Sequence, residues 1–254
     1  MPAETLHIEP IPAFEDNYIW LLHNKRDAVV IDPGDATPVI NILEKYALKL
    51  RAILITHHHS DHIDGVEQLL GQYPAQVYAP KYEQYNFEHT AVSASDQIDL
   101  DYLNLKLKVL WLPGHTLGHI AYVNETYLFC GDVLFGAGCG RLFEGSHEQM
   151  LGSLNQLKSL NSNTKVYCTH EYTAKNIDFA LTLEPDNQDL LERKLAVANL
   201  RQNNDASIPS TIALEIKTNP FLRCNQPSII ENSKAENRDE LSVFSKIRTQ
   251  RNHY

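Results

Sequence analysis

A cluster of histidines with one aspartate constrains this chain more than any other feature of its sequence. The cluster reads Thr56-His57-His58-His59-Ser60-Asp61-His62, between a run that predicts a buried strand and one that predicts a helix. In extended backbone alternate side chains point the same way, so His57 and His59 can converge on one metal ion. The turn into the helix can bring Asp61 and His62 to a second ion. Because titratable side chains packed this closely serve no apolar core, the cluster predicts a metal site in a strand-to-helix loop.

Three more candidate ligands follow other predicted strands. Each would alone be expected to be a structural residue, but a metal site needs more ligands than one loop can aim. Two ions that share one carboxylate could use these residues together with the cluster. The predicted strands are 102–112, 120–129 and 165–168, and the residues that follow them are His115, Asp132 and His170.

Charge and composition exclude several classes of protein. The 254 residues carry a formal charge of -10, which argues against a protein that binds nucleic acid through general attraction to phosphates. No apolar run reaches the roughly 18 residues that a membrane helix needs, so no membrane segment is predicted. The start of the chain does not have the pattern of a secretory signal, and the cysteines form no CxxC pair. We therefore expect reduced thiols and a cytoplasmic protein.

The hydrophobic pattern changes from mainly strands to mainly helices after Tyr172. Ser146 and Gln149 form a capping box that predicts a helix start, and Thr37 before Pro38 predicts another start with Thr37 as the N-cap. We place a domain change near residue 173. The other predicted elements are strands at 6–14, 18–22, 28–31 and 51–56, a helix beginning near Ile63, helices at 174–183 and 188–203, and an irregular polar stretch at 225–240.

Further motifs extend along nearly the whole chain. They are Phe14-x-Asp16-Asn17-Tyr18, Asp32-Pro33-Gly34-Asp35, Pro113-Gly114-His115-Thr116-Leu117-Gly118-His119, Gly131-Asp132, Ala137-Gly138-Cys139-Gly140-Arg141, Cys168-Thr169-His170-Glu171-Tyr172 and Asn219-Pro220-Phe221-Leu222-Arg223. Together with HxHxDH, they resemble the metallo-β-lactamase superfamily and, within it, the glyoxalase II family. The resemblance implies the α+β class: an αββα sandwich of two mixed sheets in a catalytic domain (1–172), followed by a helical substrate-binding domain (173–254).

The resemblance also implies a role for each ligand. The first metal ion would take His57, His59 and His115, and the second would take Asp61, His62 and His170, with Asp132 shared between them. Asp61 and Asp132 are the expected catalytic residues, acting with a hydroxide that bridges the metals. Two divalent ions per chain are expected, with zinc foremost and iron or manganese as alternatives.

The implied activity is hydrolysis of S-D-lactoylglutathione, and of other S-2-hydroxyacylglutathiones, to D-lactate and glutathione in methylglyoxal detoxification. The expected partner is therefore a small-molecule glutathione thioester rather than nucleic acid or membrane, and a monomer is expected. Phe143 lacks the hydroxyl of the family's tyrosine, and Arg251 stands where the family has lysine. The basic end of this acidic chain suits the carboxylates of glutathione. The implied substrate contacts are Arg141, Phe143, Tyr172, Arg248 and Arg251.

Other functions are compatible with the same histidine cluster. A persulfide dioxygenase of this fold would use one iron on His57, His115 and Asp132, but its relatives lack the long helical C-terminus. A lactonase or a nuclease could use two metals on another substrate, although the acidic charge disfavours a nuclease. A non-catalytic metal-binding module is disfavoured because structural zinc sites are closed, whereas both ion sites here would retain space for water.

Overall fold

The computed structural model describes residues 5–254; the first four residues of the predicted catalytic domain lie outside it. The strands are β1 His7–Ala13, β2 Asn17–His23, β3 Asp27–Ile31, β4 Lys49–Leu54, β5 Gln76–Pro80, β6 Thr90–Val92, β7 Gln97–Leu100, β8 Leu105–Trp111, β9 Ile120–Val123, β10 Tyr127–Gly131, β11 Leu134–Phe135, β12 Gly138–Cys139, β13 Lys165–Cys168 and β14 Ser210–Thr211. The α-helices are α1 Ala36–Lys45, α2 Ser60–Ile63, α3 Val66–Leu70, α4 His147–Lys158, α5 Thr173–Leu183, α6 Gln188–Gln202, α7 Ile212–Thr218, α8 Pro227–Ser233 and α9 Glu240–Arg251. Short 3-10 helices occupy Asp101–Leu103 and Pro220–Leu222.

Two six-stranded sheets and a two-stranded hairpin make up the β-structure of the described chain. The first sheet has the order β1-β2-β3-β4-β5-β6; β1, β2 and β3 pair antiparallel, whereas β3 to β6 pair parallel. The second has the order β14-β13-β10-β9-β8-β7, and β11 pairs with β12. From Thr173 onward the chain is mainly helical. The predicted α+β class, with mixed sheets and a helical C-terminus, is confirmed.

Backbone contacts divide the chain into two compact units whose segments interleave. The first contains the chain up to Trp111 with 118–124 and 129–131, and the second contains 112–117, 125–128 and 132–254. The first unit has its core between its sheet and α1, where Val39 and Leu43 are buried. The second has a smaller core of Ala137, Ile177, Ala180, Leu190 and Val197. Because these units interleave, they do not test a sequence boundary at residue 172, which stays a prediction.

Several sequence predictions differ from the structure. Helix α1 is capped by Asp35, whose carboxylate accepts from Thr37 N, so the prediction of Thr37 as N-cap was wrong. The predicted strand 120–129 is two strands, because residues 124–126 do not continue the ladder. The irregular stretch 225–240 contains α8, which starts with Pro227 in its first turn. The helix expected near Ile63 begins at Ser60.

Other predicted elements agree with the structure. The capping box is present in full, since the Ser146 hydroxyl accepts from Gln149 N and the Gln149 side chain accepts from Ser146 N. The strand at 165–168 and the three opening strands are also confirmed.

Candidate metal centre

The first cluster of candidate ligands lies in the loop after β4 and in the first turn of α2. His57 and His62 are fully buried, and the partly exposed His59 is the N-cap residue of α2. His57 Nε2 lies 3.1 Å from His59 Nδ1, and the rings of His57 and His62 are 4.0 Å apart between centroids. His62 Nε2 lies 3.5 Å from Asp61 Oδ2. The loop therefore brings three imidazoles and a carboxylate together, as its spacing predicts.

Asp32 fixes the start of this loop. Its carboxylate accepts from Thr56 N and from the Thr56 hydroxyl, both at 2.7 Å, and its Oδ2 lies 3.0 Å from His62 Nδ1. Asn17 donates to Asp61 Oδ2 at 3.0 Å. Gly34 permits this packing, because a Cβ at that position would lie 1.9 Å from the Asp61 carbonyl oxygen. The motifs around Asn17 and Asp32 were noted in the sequence, but these positioning roles were not predicted.

The second cluster consists of His115, Asp132 and His170. Asp132 Oδ2 lies 3.4 Å from Nε2 of each histidine, and all three residues are nearly buried. His115 Nδ1 donates to Arg141 O at 2.6 Å, a bond that leaves Nε2 with its lone pair on the side of Asp132. The His170 ring stacks on Tyr172, with centroids 4.8 Å apart and planes at 3°. These contacts fix both rings around one carboxylate.

The two clusters supply imidazole nitrogens and carboxylate oxygens. This donor set suits zinc, iron or manganese. All of the predicted ligands belong to groups of His and Asp side chains that could hold a metal ion: His57, His59, Asp61, His62, His115, Asp132 and His170. The chain thus has His/Asp clusters able to bind metal.

The histidines and the cysteine that the sequence analysis left outside the ligand set have other surroundings. His58 Nδ1 lies 3.3 Å from Glu83 Oε2, and the His58 ring packs edge-on against the His59 ring with centroids 5.2 Å apart. His119 is buried and stacks on His57 at 4.8 Å. Cys168 is fully buried, and burial raises the pKa of its thiol to about 12.

The predicted substrate contacts differ in exposure. Phe143 is 61% exposed, and the Arg141 guanidinium lies 5.6 Å above its ring. Tyr172 is partly exposed, and Arg251 Nε donates to Asn176 Oδ1 at 3.1 Å. Arg248 is buried; it donates to Cys139 O at 2.7 Å and to Asn252 Oδ1 at 3.0 Å. Contact of these residues with a substrate stays a prediction.

No helix among residues 5–254 is long and apolar enough to cross a membrane.

Comparison with known proteins gives matches to one family along nearly the whole chain. Residues 13–170 match the metallo-beta-lactamase superfamily, and residues 171–254 match the family described as hydroxyacylglutathione hydrolase C-terminus. The chain is 56% identical to a hydroxyacylglutathione hydrolase of Methylobacillus flagellatus, over 97% of this chain and 99% of that protein. It is 49% identical to one of Vibrio cholerae, over 98% and 100% of the two chains.

Solved structures show the same fold. The protein TTHA1623, crystallised in a di-iron-bound form, matches with a TM-score of 0.60 and 22% sequence identity. The match covers 85% of this chain and 100% of that protein. The sequence identities of 56% and 49% to the two hydrolases are much higher than the 22% identity to this structure. The chain belongs to the metallo-beta-lactamase superfamily and, within it, to the hydroxyacylglutathione hydrolase family.

Proposed function

We propose that this protein hydrolyses S-2-hydroxyacylglutathione thioesters, S-D-lactoylglutathione foremost, to a 2-hydroxy acid and glutathione in methylglyoxal detoxification. The observation that carries the proposal is the presence of both His/Asp clusters in a chain of this family. Each cluster has imidazoles around a carboxylate, which is the donor chemistry of metallohydrolases.

We propose that the two clusters together hold two divalent ions. His57, His59 and His115 would hold the first ion, Asp61, His62 and His170 would hold the second, and Asp132 would bind both. The nitrogen-rich first set favours zinc, while the aspartate in the second set also accepts iron or manganese. The di-iron form of the structural relative supports a two-ion centre in this fold.

Bound divalent ions would supply Lewis acidity at the thioester carbonyl and a water of lowered pKa. The chain's own residues prepare the site for this chemistry. Asn17 donates a hydrogen bond to one carboxylate oxygen of Asp61. The Arg141 carbonyl accepts from His115 Nδ1 and so favours the tautomer with its proton on Nδ1. The glutathione thiol has an ordinary pKa of about 8.5, so the thiolate leaves without a strong general acid. No serine or cysteine nucleophile is required.

We propose that the substrate's glutathione part is bound by basic and aromatic side chains of the second unit. Arg141 and Arg251 carry guanidinium groups that can pair with glutathione carboxylates. Exposed Phe143 offers an apolar face beside Arg141. Tyr172, stacked on His170, could contact the substrate next to the reacting carbonyl. Arg248 remains a candidate contact through the small exposed part of its side chain.

The remaining proposals concern the whole chain. We propose a cytoplasmic monomer; the scattered, buried cysteines suit a reducing compartment. The catalytic domain would end at residue 172 and the substrate-binding domain would begin at residue 173.

The test is thiol release from S-D-lactoylglutathione, with metal content measured on the same sample. We expect metal-dependent release, about two ions per chain and loss of activity on chelation. Two bound ions without thiol release would contradict the thioesterase and favour a lactonase. One iron per chain with oxygen uptake on glutathione persulfide would instead indicate the dioxygenase.

A further inference from the structure

Residues 135–140 form a segment whose backbone is bonded to side chains from the helical C-terminus. The segment includes all of the β11–β12 hairpin except Leu134, and it begins three residues after Asp132. Ala137 at its turn has a φ of 53°, a left-handed conformation that costs energy for a residue other than glycine. Its conformation therefore depends on contacts that hold it.

Two asparagine amides bind the carbonyls of this segment. Asn219 Nδ2 lies 3.2 Å from Phe135 O and 2.8 Å from Gly138 O. Asn176 Nδ2, from α5, donates to Gly136 O at 3.0 Å. Both asparagines are buried, so these carbonyls have protein donors where water is excluded.

A buried ion pair binds the turn itself. Glu215 of α7 is fully buried, and its Oε2 accepts from Ala137 N at 2.8 Å. Its Oε1 accepts from Arg193 of α6 at 2.6 Å. Arg193 also donates to the Thr218 hydroxyl at 2.6 Å, which fixes the pair in one arrangement. A buried carboxylate needs such partners, and here it has them on both oxygens.

The end of the segment is bound from α9. The Arg248 guanidinium donates to Cys139 O at 2.7 Å and lies 3.5 Å from Gly140 O. It also lies 5.2 Å above the Phe221 ring. Helices α5, α7 and α9, together with Asn219 after α7, thus bind the backbone along the whole segment.

The segment in turn contacts two candidate ligands. Gly140 N donates to Val133 O at 3.1 Å, and a Cβ on Gly140 would lie 1.8 Å from Asp132 O. The backbone carbonyl of the next residue, Arg141, accepts a hydrogen bond from His115 Nδ1 at 2.6 Å. Outer-shell partners of this kind orient metal ligands and fix the tautomer of a histidine.

We infer that the C-terminal helices position the metal ligands His115 and Asp132 through the backbone of residues 135–141. The inference rests on the metal centre of the proposed function and assigns Asn176, Glu215 and Asn219 as positioning residues. The helical C-terminus therefore shapes the metal site.

The experiment compares Asn176→Ala with Asn232→Ala in the full-length protein. Asn232 also donates from its amide to a backbone carbonyl, Leu183 O at 2.9 Å, but it does not touch the segment. Zinc is titrated into metal-free protein against a chromophoric chelator, and amide hydrogen exchange of residues 135–141 is followed without metal. We expect Asn176→Ala to weaken zinc binding about 10-fold or more and to speed exchange in the segment. We expect Asn232→Ala to match the wild type.

Asn219→Ala removes donors from two carbonyls, so its loss of zinc affinity should exceed that of Asn176→Ala. Wild-type zinc affinity and wild-type exchange in Asn176→Ala would overturn the inference, even if Asn219→Ala fails to fold. Neither readout uses a thioester. Failure of the wild type to release thiol would contradict the proposed substrate instead, and the comparison of variants would still decide the positioning role.

Discussion

At the scale of single residues, Asp132 has the largest expected effect on metal binding, because it faces two histidines with one carboxylate oxygen. We predict that Asp132→Ala reduces the metal content to one ion or less per chain and lowers kcat/KM more than about 100-fold. Loss of a residue that only hydrogen-bonds to a metal ligand already lowers metal affinity or activity about 10- to 100-fold, and Asp132 is itself an expected ligand. Metal analysis and thiol release on the same sample measure both. The control is Asp178→Ala, which removes an exposed pair with Lys194. Two ions and normal turnover in Asp132→Ala would exclude Asp132 as a shared ligand.

The cysteines give a second prediction at this scale. All four are buried, and burial raises the pKa values of Cys139, Cys168 and Cys224. A thiol with a pKa near 12 is ionised in only about one molecule in ten thousand at pH 8. We therefore expect a thiolate-specific reagent to label less than one cysteine per native chain within minutes at pH 8, and four after denaturation. Rapid labelling of the native chain would show that at least one of these cysteines is accessible to the reagent, which would contradict their burial.

At the scale of elements, the parallel pair β3–β4 contains a charged contact that depends on pH. Asp27 is buried and lies 2.6 Å from both Arg26 Nε and Arg51 Nε. Burial alone would raise the pKa of this carboxyl, but the two arginines hold it below its usual 3.8. The stability that Asp27 contributes is thus complete above about pH 4 and is lost as the pH falls through the lowered pKa.

We predict that Asp27→Asn lowers the free energy of unfolding by about 1 to 2 kcal/mol at pH 7, because the arginines are half exposed and partly screened. Below pH 3 the difference from the wild type should shrink. Urea denaturation at both pH values measures it. Asp99→Asn is the control for an exposed carboxylate, since Asp99 accepts from Gln97 Nε2 at 2.7 Å and lies 3.5 Å from Lys106 Nζ at the surface. A difference that is constant with pH would contradict this account of Asp27.

Local patterns predicted the elements whose signals are local. The Ser146 capping box and the strand before His170 are encoded within a few residues, and the spacing of the histidine cluster predicted side chains that the structure brings together. The N-cap of α1 was missed because Asp35 and Thr37 are both good caps and only the backbone conformation distinguishes them. The roles of Asp32 and Glu215 were also missed. Their partners lie 24 and 78 residues away, and no local pattern encodes such contacts.

At the scale of the whole molecule, the second compact unit continues from Asp132 to the C-terminus, across the predicted domain boundary. A chain ending at residue 172 would lose every buried member of the Ala137 cluster except Ala137 itself, namely Ile177, Ala180, Leu190 and Val197. It would also lose the donors to the backbone of residues 135–140. Burial of each large apolar side chain contributes about 1.5 to 3 kcal/mol, and a domain's net stability is only about 5 to 15 kcal/mol.

We therefore predict that the chain ending at residue 172 does not form an ordered second unit. Circular dichroism and urea denaturation should show a loss of cooperative unfolding, and hydrogen exchange should be fast between residues 132 and 170. The control is a chain ending at Asn252, which keeps the Arg248 partner and removes only exposed residues. Cooperative unfolding of the chain ending at residue 172, with the midpoint of the full-length protein, would show that the catalytic domain is independent of the helices that follow it.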